Sequence, residues 1–143
     1  MLAHSFPERM EHASEKQRGP VGDEWYRWLV QGVSGYAILS TDLQGRILTW
    51  NEGAEELFGY RRDDVLHENA RFIFTPEDIK KHIPETELAA ATANENAVDE
   101  RWHVKKDGTI FWGSGLMMRL LDDYRRHVGF VKIVRDCTEK KRH

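Results

Sequence analysis

Arg101 and His103 are the side chains best suited to recognising a ligand. Two residues apart, they share one face of any strand that carries them, and a guanidinium beside an imidazole can hold a carboxylate or another anion. Other reactive groups are less usefully placed. His82 belongs to the cluster Lys80-Lys81-His82, which reads as a solvated charged face. The pairs Asp63-Asp64 and Asp122-Asp123 read as turns in water rather than as a positioned acid and base. Cys137 is the lone cysteine, which excludes an internal disulfide and a multi-cysteine zinc site. A Gly-rich phosphate loop, His-Glu-x-x-His and G-x-S-x-G are all missing, so neither enzymatic activity nor a metal site is expected.

The stretch that must position Arg101 and His103 runs from Val98 to Arg119. Runs rich in β-branched and aromatic residues flank Lys106-Asp107-Gly108-Thr109, and Asp-Gly tolerates the positive φ of a type I′ turn, so the pattern predicts a long β-hairpin. Alternation puts Trp102, Val104, Trp112, Leu116 and Met118 on one face and Arg101, His103, Phe111, Gly113 and Met117 on the other. Neither face is purely polar. Both should therefore be covered, one by the domain's own helices and the other by a further helix or a partner subunit. Turned inward, Arg101 and His103 either bind an anionic metabolite or lie near the sheet rim and pair with Glu85 or Glu87; pairing is the more usual fate of inward charges.

The 143 residues suit one domain with its own core, at 40% hydrophobic and 31% charged residues. The net charge of -3, from 21 basic and 24 acidic side chains, gives no electrostatic case for nucleic acid or an anionic membrane. No apolar run approaches the roughly 20 residues of a membrane span. The N-terminus lacks the apolar core of a signal peptide, and a cytoplasmic protein is expected.

In chain order, residues 1–22 read as a polar, flexible leader. Residues 23–34 predict a flanking helix capped by Asp23, with Trp25, Trp28, Leu29 and Gly32 sharing one side. Tyr36 to Thr41 and Arg46 to Trp50 predict two strands around Asp42-Leu43-Gln44-Gly45. Asn51 caps a helix that Gly59 stops, and Arg61 to Leu66 adds another turn or two. Thr75-Pro76-Glu77-Asp78 starts the next helix; Pro84 is expected to interrupt it before Glu85 to Ala93 resumes, closed by Asn94 to Asn96. After the hairpin, Leu120 to His127 reads as a polar connection and Gly129 to Arg135 as a final strand.

This order resembles the PAS family of sensory domains. The resemblance is carried by Gly35-Tyr36-Ala37-Ile38 with Asp42 to Ile47, Trp50-Asn51 with Ala54 to Tyr60, Phe74 to Asp78, Lys106 to Thr109, and Gly129-Phe130 through Arg135 to Glu139. It implies a PAS domain over residues 35–138, an α+β fold with a five-stranded antiparallel sheet, the Arg46 to Trp50 strand at one edge, short helices on one face and the N-terminal helix on the other. It also implies a cavity between sheet and helices, for which Arg101, His103, Phe72, Phe111, Met117 and Val134 are the candidate ligand-binding residues. Asp136-Cys137-Thr138 looks like the family's closing Asp-x-Thr motif, which hands the signal to an exit helix beginning over residues 139–143. There Thr138 is expected to cap the helix and Asp136 to tie the junction back.

Two cofactor readings follow from the same resemblance. Asn69-Ala70-Arg71-Phe72 and Lys106 to Trp112 look like the flavin-binding light-oxygen-voltage subfamily, but the reactive cysteine's position holds Ala70, and Phe74, His103, Gly113 and Val134 stand where amides would hold the ring. That disfavours flavin, since its polar edge would be buried unpaired. For haem, a ligand on the long helix could be His82, although the ungapped match falls on Ile83, about 100° away around a helix. The functional expectation is a sensory module that binds a small molecule or a partner protein and signals to a histidine kinase, cyclase or transcription regulator. The alternatives are a module serving dimerisation alone and a haem or flavin sensor. A homodimer is expected through Trp25, Trp28, Trp102, Trp112 and Ile133.

Overall fold

The structure, a computed structural model, describes residues 35–142. The predicted leader and the predicted flanking helix with Trp25 and Trp28 lie outside the described residues. Strands β1 (Ala37–Asp42), β2 (Ile47–Trp50), β3 (Asn96–Val104), β4 (Ile110–Leu121) and β5 (His127–Asp136) form one antiparallel sheet in the order β2-β1-β5-β4-β3. Between β2 and β3 run α1 (Glu52–Phe58), α2 (Arg62–Val65), a 3-10 turn (Ala70–Ile73), α3 (Pro76–Lys80) and α4 (Ile83–Asn94); α5 (Thr138–Arg142) follows the sheet. The core holds Leu39, Ile47, Phe58, Ile73, Phe111 and Val134, all buried.

Local chemistry explains the helix starts. Asn51 Oδ1 accepts from Ala54 N at 2.8 Å, the bond of an N-cap, and from Ile38 N at 2.9 Å, which fastens α1 to β1. Gly59 closes α1 with φ 85°, a left-handed conformation that costs glycine little. Thr75 Oγ1 accepts from Asp78 N at 3.2 Å and Pro76 opens α3.

Three expectations are corrected. Pro84 does not interrupt a helix: the break falls at His82, whose φ of 60° ends the α3 segment, and Pro84 sits in the first turn of α4, where a missing N–H costs nothing. The hairpin turn is not type I′, because only Gly108 has positive φ (90°); Gly108 N donates to Lys105 O, and Asp107 Oδ1 accepts from Thr109 N, stabilising Asp107 at negative φ. The Leu120 to His127 connection is shorter than predicted. Asp122 Oδ1 accepts from Tyr124 N and Arg126 N, both at 2.8 Å, and this tight loop lets β4 reach Leu121 and β5 begin at His127.

Candidate functional site

The two-residue period of a strand turns Asp99, Arg101 and His103 of β3, and Lys132 and Val134 of β5, toward the helices. Glu87 reaches down from α4 onto that face. Its Oε2 lies 3.1 Å from Arg101 Nε and its Oε1 2.8 Å from Lys132 Nζ. Asp99 takes Arg101 Nε at 3.0 Å, His103 Nε2 at 2.9 Å and Lys132 Nζ at 3.3 Å. Arg101 also approaches Asp78 of α3 at 3.7 Å. The result is a network joining two helices to two strands, with Glu87, Asp99, His103 and Lys132 all buried.

Its protonation follows from its partners. His103 Nδ1 lies 2.9 Å from Ile73 O and its Nε2 2.9 Å from Asp99 Oδ2, so the ring bridges the 3-10 turn and the Asp99 carboxylate. Burial pushes the Asp99 carboxyl up, but the Lys132 charge and the His103 hydrogen bond outweigh it and hold the group well below the usual carboxylate range. Glu87 is the opposite case: burial dominates and pushes it up to about 7 against the pull of Lys132. Arg101 is held above its ordinary value, despite burial, by Glu87 and Asp99. The Lys132–Glu87 contact is short but off the hydrogen-bond axis, and neither Glu87 Oε1 nor Lys132 Nζ completes a hydrogen bond within the protein.

Both atoms' residues line a cavity of about 30 Å³, with Leu39, Ile73, Phe74 and Met117 among its other walls. That is space for one or two waters. Of the six residues predicted to bind a ligand, only Met117 lines it. Arg101 and His103 belong to the charged network; Phe111 and Val134 are core; Phe72 packs on Tyr60 and Trp50 at centroid distances of 4.8 and 5.9 Å. Asp99 and Lys132 were missed as members of the site. The signal was there, since Asp99 shares parity with Arg101 and His103, and Lys132 lies between the inward Phe130 and Val134.

At the end of β5, Asp136 Oδ1 accepts from Thr138 N at 2.9 Å, so Asp136 caps α5. Thr138 Oγ1 accepts from Trp112 N at 2.9 Å, and Cys137 N donates to Trp112 O at 2.7 Å. The two roles are the reverse of those predicted: Thr138, not Asp136, ties the junction back to the sheet. On the other face Trp102 and Trp112 meet edge-on at 5.3 Å, beside the half-buried Ile133 and the exposed Val98, Ile110 and Leu116.

The family model for the PAS domain matches residues 34–139. This chain belongs to the PAS domain family. It is 35% identical over 119 residues to two-component system protein A of Emericella nidulans, covering 83% of this chain and 17% of that protein. Sensor protein TdiS of Thauera aromatica is 30% identical over 96 residues, 64% of this chain and 17% of the relative. The chain thus spans about a sixth of the length of these relatives. The crystal structure of the PAS domain of a protein from Colwellia psychrerythraea superposes with a TM-score of 0.74 at 28% identity, covering 83% of this chain and 98% of that one. The fold and membership of the PAS domain family are therefore established, and the curated relatives it resembles are a two-component system protein and a sensor protein. Among the described residues no helix is long and apolar enough to cross a membrane.

Neither large cofactor fits this PAS domain. The positions matched to flavin-holding amides pack on one another: Phe74 and His103 have ring centroids 5.2 Å apart, and a Cβ on Gly113 would meet His103 Cδ2 at 2.9 Å and Val134 Cγ2 at 3.0 Å. The remaining 30 Å³ is far below the roughly 300–1,000 Å³ of pockets for drug-sized ligands. His82, the haem candidate, has a side chain 78% exposed, 3.9 Å from Glu85 at the surface, and does not enter the interior.

Proposed function

We propose that this PAS domain is the sensory module of a two-component signalling protein, taking its input at the charged network under α4 and passing it through the sheet to α5 and a histidine-kinase effector. The observation that carries this reading is the exit junction. Trp112 holds Thr138 and Cys137 by backbone bonds, and its strand β4 lies between the strands that carry Asp99, Arg101, His103 and Lys132. A shift of β3 or β5 is thereby felt at the first turn of α5. The input is a small polar species or a partner protein, given the size of the cavity. An input acts only by favouring one arrangement of helices and sheet over another.

The outer face supports a second element of this reading. Trp102, Trp112 and Ile133, beside the exposed Val98 and Leu116, suit a homodimer interface. The alternative, a module serving only that dimer, would leave the inner network without influence on output.

The test is a kinase fusion carrying the full chain in place of the host's own PAS segment. Autophosphorylation should change severalfold with Lys132→Met and with Thr138→Val. Unchanged output in both contradicts the sensory reading and leaves dimerisation.

A further inference from the structure

We propose that the input this domain reads is the proton, taken up by Glu87 from the water-sized cavity at its carboxylate, and that uptake seats α4 on the sheet while loss of the proton loosens it. The proposal rests on the sensory-module reading and names its ligand.

The geometry singles out Glu87. It is the α4 side chain that ion-pairs with both β3, through Arg101, and β5, through Lys132. Among the described residues Glu85, on the same helix, pairs with groups outside the sheet, Arg71 and His82. The cavity reaches from Glu87 and Lys132 to the exposed Asn69, so solvent has a route to a carboxylate that is otherwise 3% exposed. Glu87 lines that space, and its Oε1, though 2.8 Å from Lys132 Nζ, completes no hydrogen bond. No organic ligand is needed to fill the site, because about 30 Å³ holds water.

The groups around it decide which acid takes the proton. Lys132 faces it from β5, Asp99 and Arg101 from β3 with His103 behind Asp99, and Asp78 from α3 through Arg101. Arg71 of the 3-10 turn stands at the cavity, β1 offers only Leu39 and Thr41 there, and Arg119 of β4 pairs with Glu95 beyond the end of α4. Glu87 and Asp99 thus share two cations, and like-charged neighbours split their affinities for protons. Asp99 has His103 besides and keeps the charge. Burial leaves Glu87 as the acid that titrates near 7. Once it is neutral, Lys132 remains with Asp99 and with the Phe74 ring at 4.6 Å, and α4 no longer buries a charge whose desolvation its partners only partly offset.

The experiment is an NMR pH titration of the full chain, following the Glu87 side-chain carboxyl carbon and the Trp112 and Thr138 amides in the wild type and in Glu87→Gln. The Glu87 carboxyl should titrate with a midpoint near 7, both amides should follow that midpoint, and Glu87→Gln should abolish the shared transition. Lys132→Met should raise the midpoint by about one unit, tenfold in proton affinity. A Glu87 midpoint below about 5, in the range of ordinary carboxylates, overturns the proposal, as does an amide transition that survives in Glu87→Gln. If Lys132→Met does not fold, the wild-type titration alone decides. A kinase fusion that responds to Thr138→Val while Glu87 titrates normally removes the proton as input and leaves the sensory module standing.

Discussion

Lys132 Nζ and Asp99 Oδ2 lie 3.3 Å apart although their strands, β5 and β3, are not neighbours: the pair reaches across β4. Both side chains are almost wholly buried, at 1% and 0% exposure. Removing one partner leaves the other charge stranded, which in buried pairs costs about 3–5 kcal/mol. Asp99→Ala should therefore lower the urea midpoint strongly, since it removes the buried carboxylate that Lys132, His103 and Arg101 share and leaves Glu87 to offset both cations. The double variant Asp99→Ala with Lys132→Met should be less destabilised than the sum of its parts. Strict additivity would mean that the pair does not interact.

Stability should fall as pH rises through the window set by Glu87. Its folded-state value of about 7 exceeds the ordinary 4.5, so the folded protein binds the extra proton between those values. Stability then declines with rising pH, by up to about 3 kcal/mol across the window. Asp99 acts in the opposite sense: held low in the fold, it contributes stability above the ordinary carboxylate range that is lost as pH falls below it. Urea unfolding of the wild type and Glu87→Gln from about pH 5 to about pH 8 should show the downward slope only in the wild type. The same slope in both would assign it elsewhere.

Gly115→Ala should destabilise the sheet by roughly 3 kcal/mol or more. A Cβ there would stand 1.8 Å from the carbonyl oxygen of Ile133 on β5, so the β4–β5 ladder must part to admit a methyl group. A thermal midpoint equal to that of the wild type would contradict this packing.

Much of the fold was legible because its signals are local. Asn51, Gly59 and Thr75-Pro76 mark helix ends through bonds that their own side chains or conformations make, and Asp107-Gly108 marks the hairpin. Strand parity likewise put Arg101 and His103 on the inner face. The network itself was harder to read, because Asp99 and Lys132 come together across an intervening strand and Glu87 arrives from a helix. Such a contact depends on sheet order and on the depth of α4, neither of which a local pattern encodes. The role of Thr138 escaped for the same reason: its partner, Trp112 N, is 26 residues away.

The outer face should carry the dimer. Leu116→Arg with Ile133→Arg places two cations among Trp102, Trp112 and Val98, and should shift sedimentation of the full chain from dimer to monomer. A dimer that persists would move the interface elsewhere.

The central claim, that the buried network is coupled to the exit helix, is tested most directly by amide hydrogen exchange in Lys132→Met. Lys132 lies on β5, buried and far in sequence from α5 only by the few residues that Asp136 and Thr138 close. Exchange at residues 138–142 should accelerate roughly threefold or more relative to the wild type, beyond any change at the β1–β2 turn. Exchange that rises in α4 but is unaltered at residues 138–142 would contradict the account.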